Sequence, residues 1–308
     1  MNSTPNKIFI TGASGYLGSA IAARLKRVGH DVFGLTRDAG RAARLERLGV
    51  QPVVGDLAKP ETFMATLKNC DAAIHAAIAG EGPPAVLDER ALEAFADAAE
   101  DGRLRRFLYT SGLWVHGDTG EQVVDESTPL APLELVNWRA AHEDVVMDLA
   151  QIEVAPVVFR PAIVYGGARG LIGRWFREAK DHGTVSWYGS GEQHWALVHR
   201  DDVAEAYALG LEHAAGGERY LLADGSSFTV RELAEAVAAA AGATAQAWPE
   251  AEVIARLGLE GRALLASARI NSMKARRDLG WVPRHTNFVG EIAAIHREWL
   301  APQEASVK

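Results

Sequence analysis

Short apolar runs and amphipathic helical stretches take turns along the first half of the chain. Residues 7–11 (KIFIT) read as a buried strand. Residues 16–28 set Leu17, Ile21, Leu25 and Val28 at helical spacing, and Gly29 stands where a glycine ends a helix. The alternation repeats with strands at 31–36, 51–55, 71–78, 105–111 and 153–161, and helices at 41–49, 59–69, 84–100 and 131–150. Apolar strands joined by helices make a parallel sheet covered on both faces. The pattern therefore predicts an α/β fold, a Rossmann-type doubly wound parallel sheet with a smaller C-terminal substrate lobe.

From 166 to 193 glycines crowd the sequence (YGGARGLIGRW, DHGT, GSGE), which predicts loops. VHRDDVAEAYALGLEH reads as a loop feeding a helix. TVRELAEAVAAAAG reads as a helix with Thr229 as N-cap and Glu232 at the capping-box position. A last amphipathic helix closes the chain. The expected division is a dinucleotide-binding Rossmann domain over residues 1–165 plus about 195–215, the latter segment returning to the main sheet. Residues 166–194 and 216–308 form the smaller lobe.

Composition narrows the function classes. Of 308 residues, 48% are hydrophobic and 23% charged, as in an ordinary soluble protein. A net charge of −8 without a basic stripe argues against a nucleic-acid partner. The single Cys70 excludes an intramolecular disulfide and a cysteine metal cluster. The opening residues lack the pattern of a signal peptide, and no run reaches the ~18 apolar residues of a membrane span. A cytoplasmic location with no membrane partner is the expectation. A homodimer through two of the long helices is compatible with the pattern.

The chemistry begins at Thr11-Gly12-Ala13-Ser14-Gly15-Tyr16-Leu17-Gly18. The glycines lie at spacing three and three between a strand and a helix. They allow a tight turn, a close backbone approach to a pyrophosphate, and close helix–strand packing, with the phosphates at the positive end of the helix. The second strand ends at Thr36-Arg37-Asp38. An acidic residue there suits the ribose 2′-hydroxyl of NAD(H), whereas Arg37 suits a 2′-phosphate. The expectation is NADP(H) over NAD(H).

With these residues the chain resembles the extended short-chain dehydrogenase/reductase superfamily, in its NAD-dependent epimerase/dehydratase branch, over nearly all its length. TGASGYLG is similar to the cofactor fingerprint, which implies cofactor contacts at Gly12, Ser14, Gly15, Tyr16, Leu17 and Gly18. VVGDLAKPETF resembles the segment whose Asp56-Leu57 sits by the adenine. AAIHAA resembles the strand end whose Ala76 and Ala77 line the cofactor. FLYTSGLWVHG resembles the strand carrying a catalytic serine or threonine. FRPAIVYG, with Pro161, resembles the segment beside the nicotinamide. VHRDDVAEAY and DLGWVP are similar to family signatures of the C-terminal part.

The resemblance also implies a tyrosine four residues before a lysine, and here the chain departs from it. Aligning Glu143 with a glutamate common in the family puts Arg139 at the lysine and Leu135 at the tyrosine. Leucine donates no proton. Arginine still grips a ribose but is too basic to act as an acid. The serine position falls on Gly112, with Ser111 one residue earlier on an alternating strand. Replacement candidates are Ser111, His116, whose ring titrates near neutral pH, Arg139, and Tyr165 in the turn after RPAIV. His142 shares a helical face with Arg139 but lies ~10 Å along the axis from Leu135, too far for the chemistry. Trp114 and Trp138 could wall an aromatic pocket or simply pack. His194 and His199 lack an acidic cluster at ligand spacing, so no metal is expected.

Three functions fit. The first is NADPH-dependent reduction of a small-molecule carbonyl or activated alkene with a non-standard proton donor. The alternatives are a nucleotide-sugar epimerase or dehydratase and a non-catalytic NAD(P)-sensing protein. The sequence does not name the substrate.

Overall fold

The computed structural model describes residues 7–78 and 82–304; residues 1–6, read above for a targeting signal, lie outside these. The first half follows the alternating pattern: β1 (Lys7–Thr11), α1 (Tyr16–Arg27), β2 (Asp31–Thr36), α2 (Ala39–Arg47), β3 (Gln51–Val54), α3 (Met64–Leu67), β4 (Ala72–His75), α4 (Pro84–Asp101), β5 (Arg106–Thr110) and α5 (Trp138–Asp148). α1 ends where expected, with Gly29 at φ 94° after it.

One seven-stranded sheet forms the centre, in the order Glu218–Leu222, Ala155–Pro161, β5, β4, β1, β2, β3. Every pairing in it is parallel. Alternate strand residues enter different cores, which is why these strands are apolar throughout. Ile8, Ile10, Leu108 and Phe159 pack with Ile21 and Leu25 of α1 and with Val203 and Tyr207. Phe9, Phe107, Tyr109 and Val158 pack with Leu92 and Phe95 of α4 and Val146 of α5. The strand order reverses between β1 and β4, and at such a switch point the sheet opens a crevice at the strands' carboxyl ends.

Three expectations need correction. The segment near 195–215 does not rejoin the main sheet as a strand: Leu197–His199 pairs with Ile163–Tyr165 in a separate two-stranded sheet. The seventh strand is Glu218–Leu222, which the sequence reading gave to the smaller lobe. The glycine-rich stretch 166–193 holds a helix, Gly170–His182, and a strand, Thr184–Tyr188. Glycines 166, 167, 170 and 183 take φ of 98°, 66°, 79° and 70° at the turns bounding that helix, so they mark its ends rather than its absence. The helix Val230–Ala241 carries the capping box: Glu232 N donates to Thr229 Oγ1 at 3.2 Å, and Thr229 N to the Glu232 carboxylate at 2.8 Å. Trp175 and Trp195 stack at 5.4 Å, and both belong to a core continuous with the sheet.

Candidate functional site

The turn between β1 and α1 is shaped by what cannot fit there. Gly12 takes φ 70°, and a Cβ on it would lie 2.5 Å from the Ala76 carbonyl oxygen. A Cβ on Gly18 would collide with the Gly12 carbonyl oxygen. Gly15 N closes the turn on Gly12 O at 2.8 Å. No side chain caps α1 and no acidic residue enters its first turn, so its leading N–H groups remain available to an anion.

A cleft of about 420 Å³ opens over this turn, within the range typical of small-ligand sites. Gly12, Ser14, Gly15, Tyr16, Leu17, Arg37, Asp56, Leu57, Ala76, Ala77, Ser111 and Arg139 all line it. Two further expected contacts lie outside the lining. Gly18 supports the turn from behind, and Pro161 is buried at the end of its strand. Thr36, Arg41, Gly55, Leu87 and Thr110, which no motif in the sequence marked as contacts, line the cleft too. Arg41 belongs to the first turn of α2. Its Nε lies 3.1 Å from the Asp38 carboxylate, in a pair whose side chains are 58% and 52% exposed and which is therefore weak.

At the far end, β5 runs into the cleft. Tyr109 bonds Asp88 of α4 at 2.8 Å, Thr110 bonds Tyr207 at 2.6 Å on the opposite face, and Ser111, one residue past β5, lines the cleft as Arg139 does. The Ser111 hydroxyl is buried with no partner among the described residues. Gly112, where the resemblance puts the serine, has an extended φ of −174°. Arg139 donates to the Thr110 carbonyl at 2.9 Å and to the Tyr109 hydroxyl at 3.3 Å, and lies over the Trp138 ring at 4.4 Å. Strand end and helix thus bring Ser111 and Arg139 to the same cleft.

His116 and Tyr165 are not brought there. Arg160 Nη1, a donor only, lies 3.1 Å from His116 Nε2, which fixes that nitrogen as acceptor. Burial and the Arg160 charge push the His116 ring down to about 4. Arg160 is in turn held by Glu143, Nε to Oε1 at 3.0 Å, with both side chains almost fully buried. Tyr165 packs edge-on against His199 at 5.1 Å and Phe288 at 5.2 Å, and burial raises its phenol. Neither residue lines the cleft.

No metal is expected at His199 from the sequence, yet folding brings Asp202 and His285 to it, their ligand atoms within 4.8 Å. Those groups have internal partners. The Asp202 carboxylate accepts Arg284 N at 2.9 Å and His285 N at 3.0 Å, and His285 Nδ1 lies 2.6 Å from Glu291. The cluster fastens the tail to the helix Arg200–His213.

The model of the NAD dependent epimerase/dehydratase family matches residues 8–223. A 4-hydroxy-2-methyl-3-oxo-4-farnesyl-3,4-dihydroquinoline-1-oxide ketoreductase of Stigmatella aurantiaca is 28% identical over 321 residues, covering 92% of this chain and 94% of the relative. A UDP-glucose 4-epimerase of Mycolicibacterium smegmatis is 29% identical over 308 residues, covering 90% and 94%. A double mutant of the dTDP-glucose 4,6-dehydratase of Streptomyces venezuelae, solved with NAD bound, superposes with a TM-score of 0.82 at 21% identity, covering 97% and 98%, which is a likeness of fold. Among the described residues no helix is long and apolar enough to cross a membrane.

Proposed function

The chain belongs to the NAD dependent epimerase/dehydratase family, and from that membership we propose that it binds NADP(H) in preference to NAD(H) and reduces a carbonyl or activated alkene of a small molecule. The observation that carries this reading is that one cleft joins the uncapped start of α1, Arg37 with Arg41, and Ser111 with Arg139. The glycine turn would receive the pyrophosphate. Arg37 and Arg41 would grip a 2′-phosphate, which two guanidinium forks suit and a ribose hydroxyl does not. Arg139 would hold the nicotinamide ribose.

The bound dinucleotide would supply hydride. The chain's own part is position and charge. Ser111 would donate a hydrogen bond to the substrate oxygen, and Arg139 would stabilise negative charge developing beside it. With Leu135 in place of a proton donor, water or the substrate itself would supply the proton. His116 and Tyr165, buried outside the cleft lining, take packing roles in this reading. NADPH oxidation across a panel of ketones, quinones and enones tests it; a panel with no turnover above background would refute the reductase reading.

The 29% identity to a UDP-glucose 4-epimerase supports a second reading, a nucleotide-sugar epimerase. Leu135 counts against it, because oxidising a sugar hydroxyl requires a base. Turnover of a nucleotide sugar with tightly retained NAD would favour it. A non-catalytic sensor would bind the dinucleotide and turn over neither class.

A further inference from the structure

Beneath the cleft wall lies a buried carboxylate outside the expected set of functional residues. Asp88, on α4, is 6% exposed and meets three side chains from three other elements. His75 Nε2 of β4 is 3.0 Å from its Oδ1; His142 Nδ1 of α5 is 2.7 Å and the Tyr109 hydroxyl of β5 2.8 Å from its Oδ2. Burial alone would raise this carboxyl, but hydrogen bonds from His142, His75 and Tyr109 hold it well below the usual carboxylate range. It is therefore ionised and accepts only, so all three neighbours donate to it.

That fixes the rest of the network. Tyr109 spends its proton on Asp88, so its oxygen is free to accept from Arg139 Nη1 at 3.3 Å. His75 donates through Nε2, and its Nδ1 faces the Thr11 hydroxyl at 2.7 Å, immediately before the phosphate turn. One carboxylate thus reaches Arg139 through a single phenol and the glycine turn through a single imidazole. A guanidinium is long and flexible, and without a fixed acceptor it samples many rotamers. Here the Thr110 carbonyl and the Tyr109 hydroxyl take one of its nitrogens, and the Trp138 ring covers its face.

We propose that Asp88 and Tyr109 are positioning residues that set the Arg139 guanidinium for the nicotinamide-ribose end of the dinucleotide. This rests on the reading that the cleft holds NADP(H). It assigns to this chain a device that orients the arginine standing where the family has its lysine.

The test compares two ligands on the full-length protein: NADPH, which reaches Arg139, and adenosine 2′,5′-bisphosphate, which ends at the adenine side. Tyr109→Phe keeps the ring, stacked on His75 at 5.8 Å, and removes only the hydroxyl. The expected result is a rise in the NADPH dissociation constant of roughly tenfold, the scale of one hydrogen bond to a charged group, with the bisphosphate unchanged within about twofold. Asp88→Asn, if it folds by its thermal transition, weakens NADPH at least as much, and any loss for the bisphosphate, carried through His75 and Thr11, stays smaller than the loss for NADPH. Unchanged NADPH binding in Tyr109→Phe, or equal losses for both ligands, would overturn the positioning role while leaving the dinucleotide reading intact. An unaltered protein that binds neither ligand would overturn both.

Discussion

Asp38 turns its carboxylate to the start of α2, where it accepts the backbone N–H of Arg41 at 2.7 Å. The one acidic residue at the end of β2 is thereby used as a helix cap and does not line the cleft, whereas Arg37 and Arg41 do. Held at the start of α2 and 3.1 Å from Arg41 Nε, the Asp38 carboxylate is turned from the cleft, which supports the proposed preference for a 2′-phosphate at Arg37. Replacing Arg37 and Arg41 together by alanine is expected to weaken NADPH by roughly ten- to a hundredfold, since a charge-assisted hydrogen bond contributes about 1.5–3 kcal/mol. NADH binding should stay within about threefold, on the same scale. Fluorescence titration of both cofactors checks the difference.

Gly18→Ala should damage the site more than the fold. Its Cβ would run into the Gly12 carbonyl, so the turn must shift or α1 must move away from it. The expected outcome is a loss of NADPH affinity of at least about tenfold, or about 1.4 kcal/mol, with the cooperative thermal transition retained. Gly29→Ala is the control: at φ 94° it is strained, yet no atom lies within 4 Å of the added carbon. It should lower stability by about 1 kcal/mol and leave binding alone.

Glu143 is fully buried against Arg160, which is 2% exposed, and it also meets Arg219. Removing the carboxylate leaves a desolvated guanidinium. Glu143→Ala is therefore expected to cost about 3–5 kcal/mol in urea unfolding, the range for breaking a buried pair from one side. A cost under about 1 kcal/mol would mean that Arg160 finds water or another acceptor, in conflict with the packing described here.

Asp224 gives the pH dependence. Burial raises its carboxyl from 3.8 to about 6, against the opposing bonds from Ser226. Its Oδ2 has no partner among the described residues. A raised carboxyl means the folded state holds a proton that the unfolded chain has released, so the stabilisation is complete below about pH 4 and lost as pH climbs through about 6. Asp224→Asn should therefore raise stability by about 1–3 kcal/mol at pH 8 and give little gain at pH 4. Thermal melts at the two pH values measure this; equal gains at both would contradict a buried ionised carboxylate.

What the sequence disclosed was local. The glycine turn, the doubly wound sheet, the Thr229–Glu232 box and Arg139 on the cleft wall were legible because each depends on spacing within a few residues. What it concealed was set by distance along the chain. Glu218–Leu222 finds its sheet partner in Ala155–Pro161, and Asp88 finds His142 54 residues away. Apolar alternation cannot rank such partners. The helix Gly170–His182 was hidden differently: Gly173 lowers helix propensity, but a Cβ there would lie 3.0 Å from the Ala168 backbone, so a glycine suits the tight packing. Ser111, one residue before the aligned Gly112, lines the cleft, which its place past the strand end decides and spacing alone does not.

The proposed occupant of this cleft is a 2′-phosphorylated nicotinamide dinucleotide. Titrating the purified protein with NADPH, NADP+, NADH and NAD+, followed by tryptophan quenching or heat release, tests it most directly. Saturable binding is expected, with the two phosphorylated forms at least about tenfold tighter, the scale of one charge-assisted contact. Binding of none of the four, or tighter binding of the unphosphorylated pair, would contradict it.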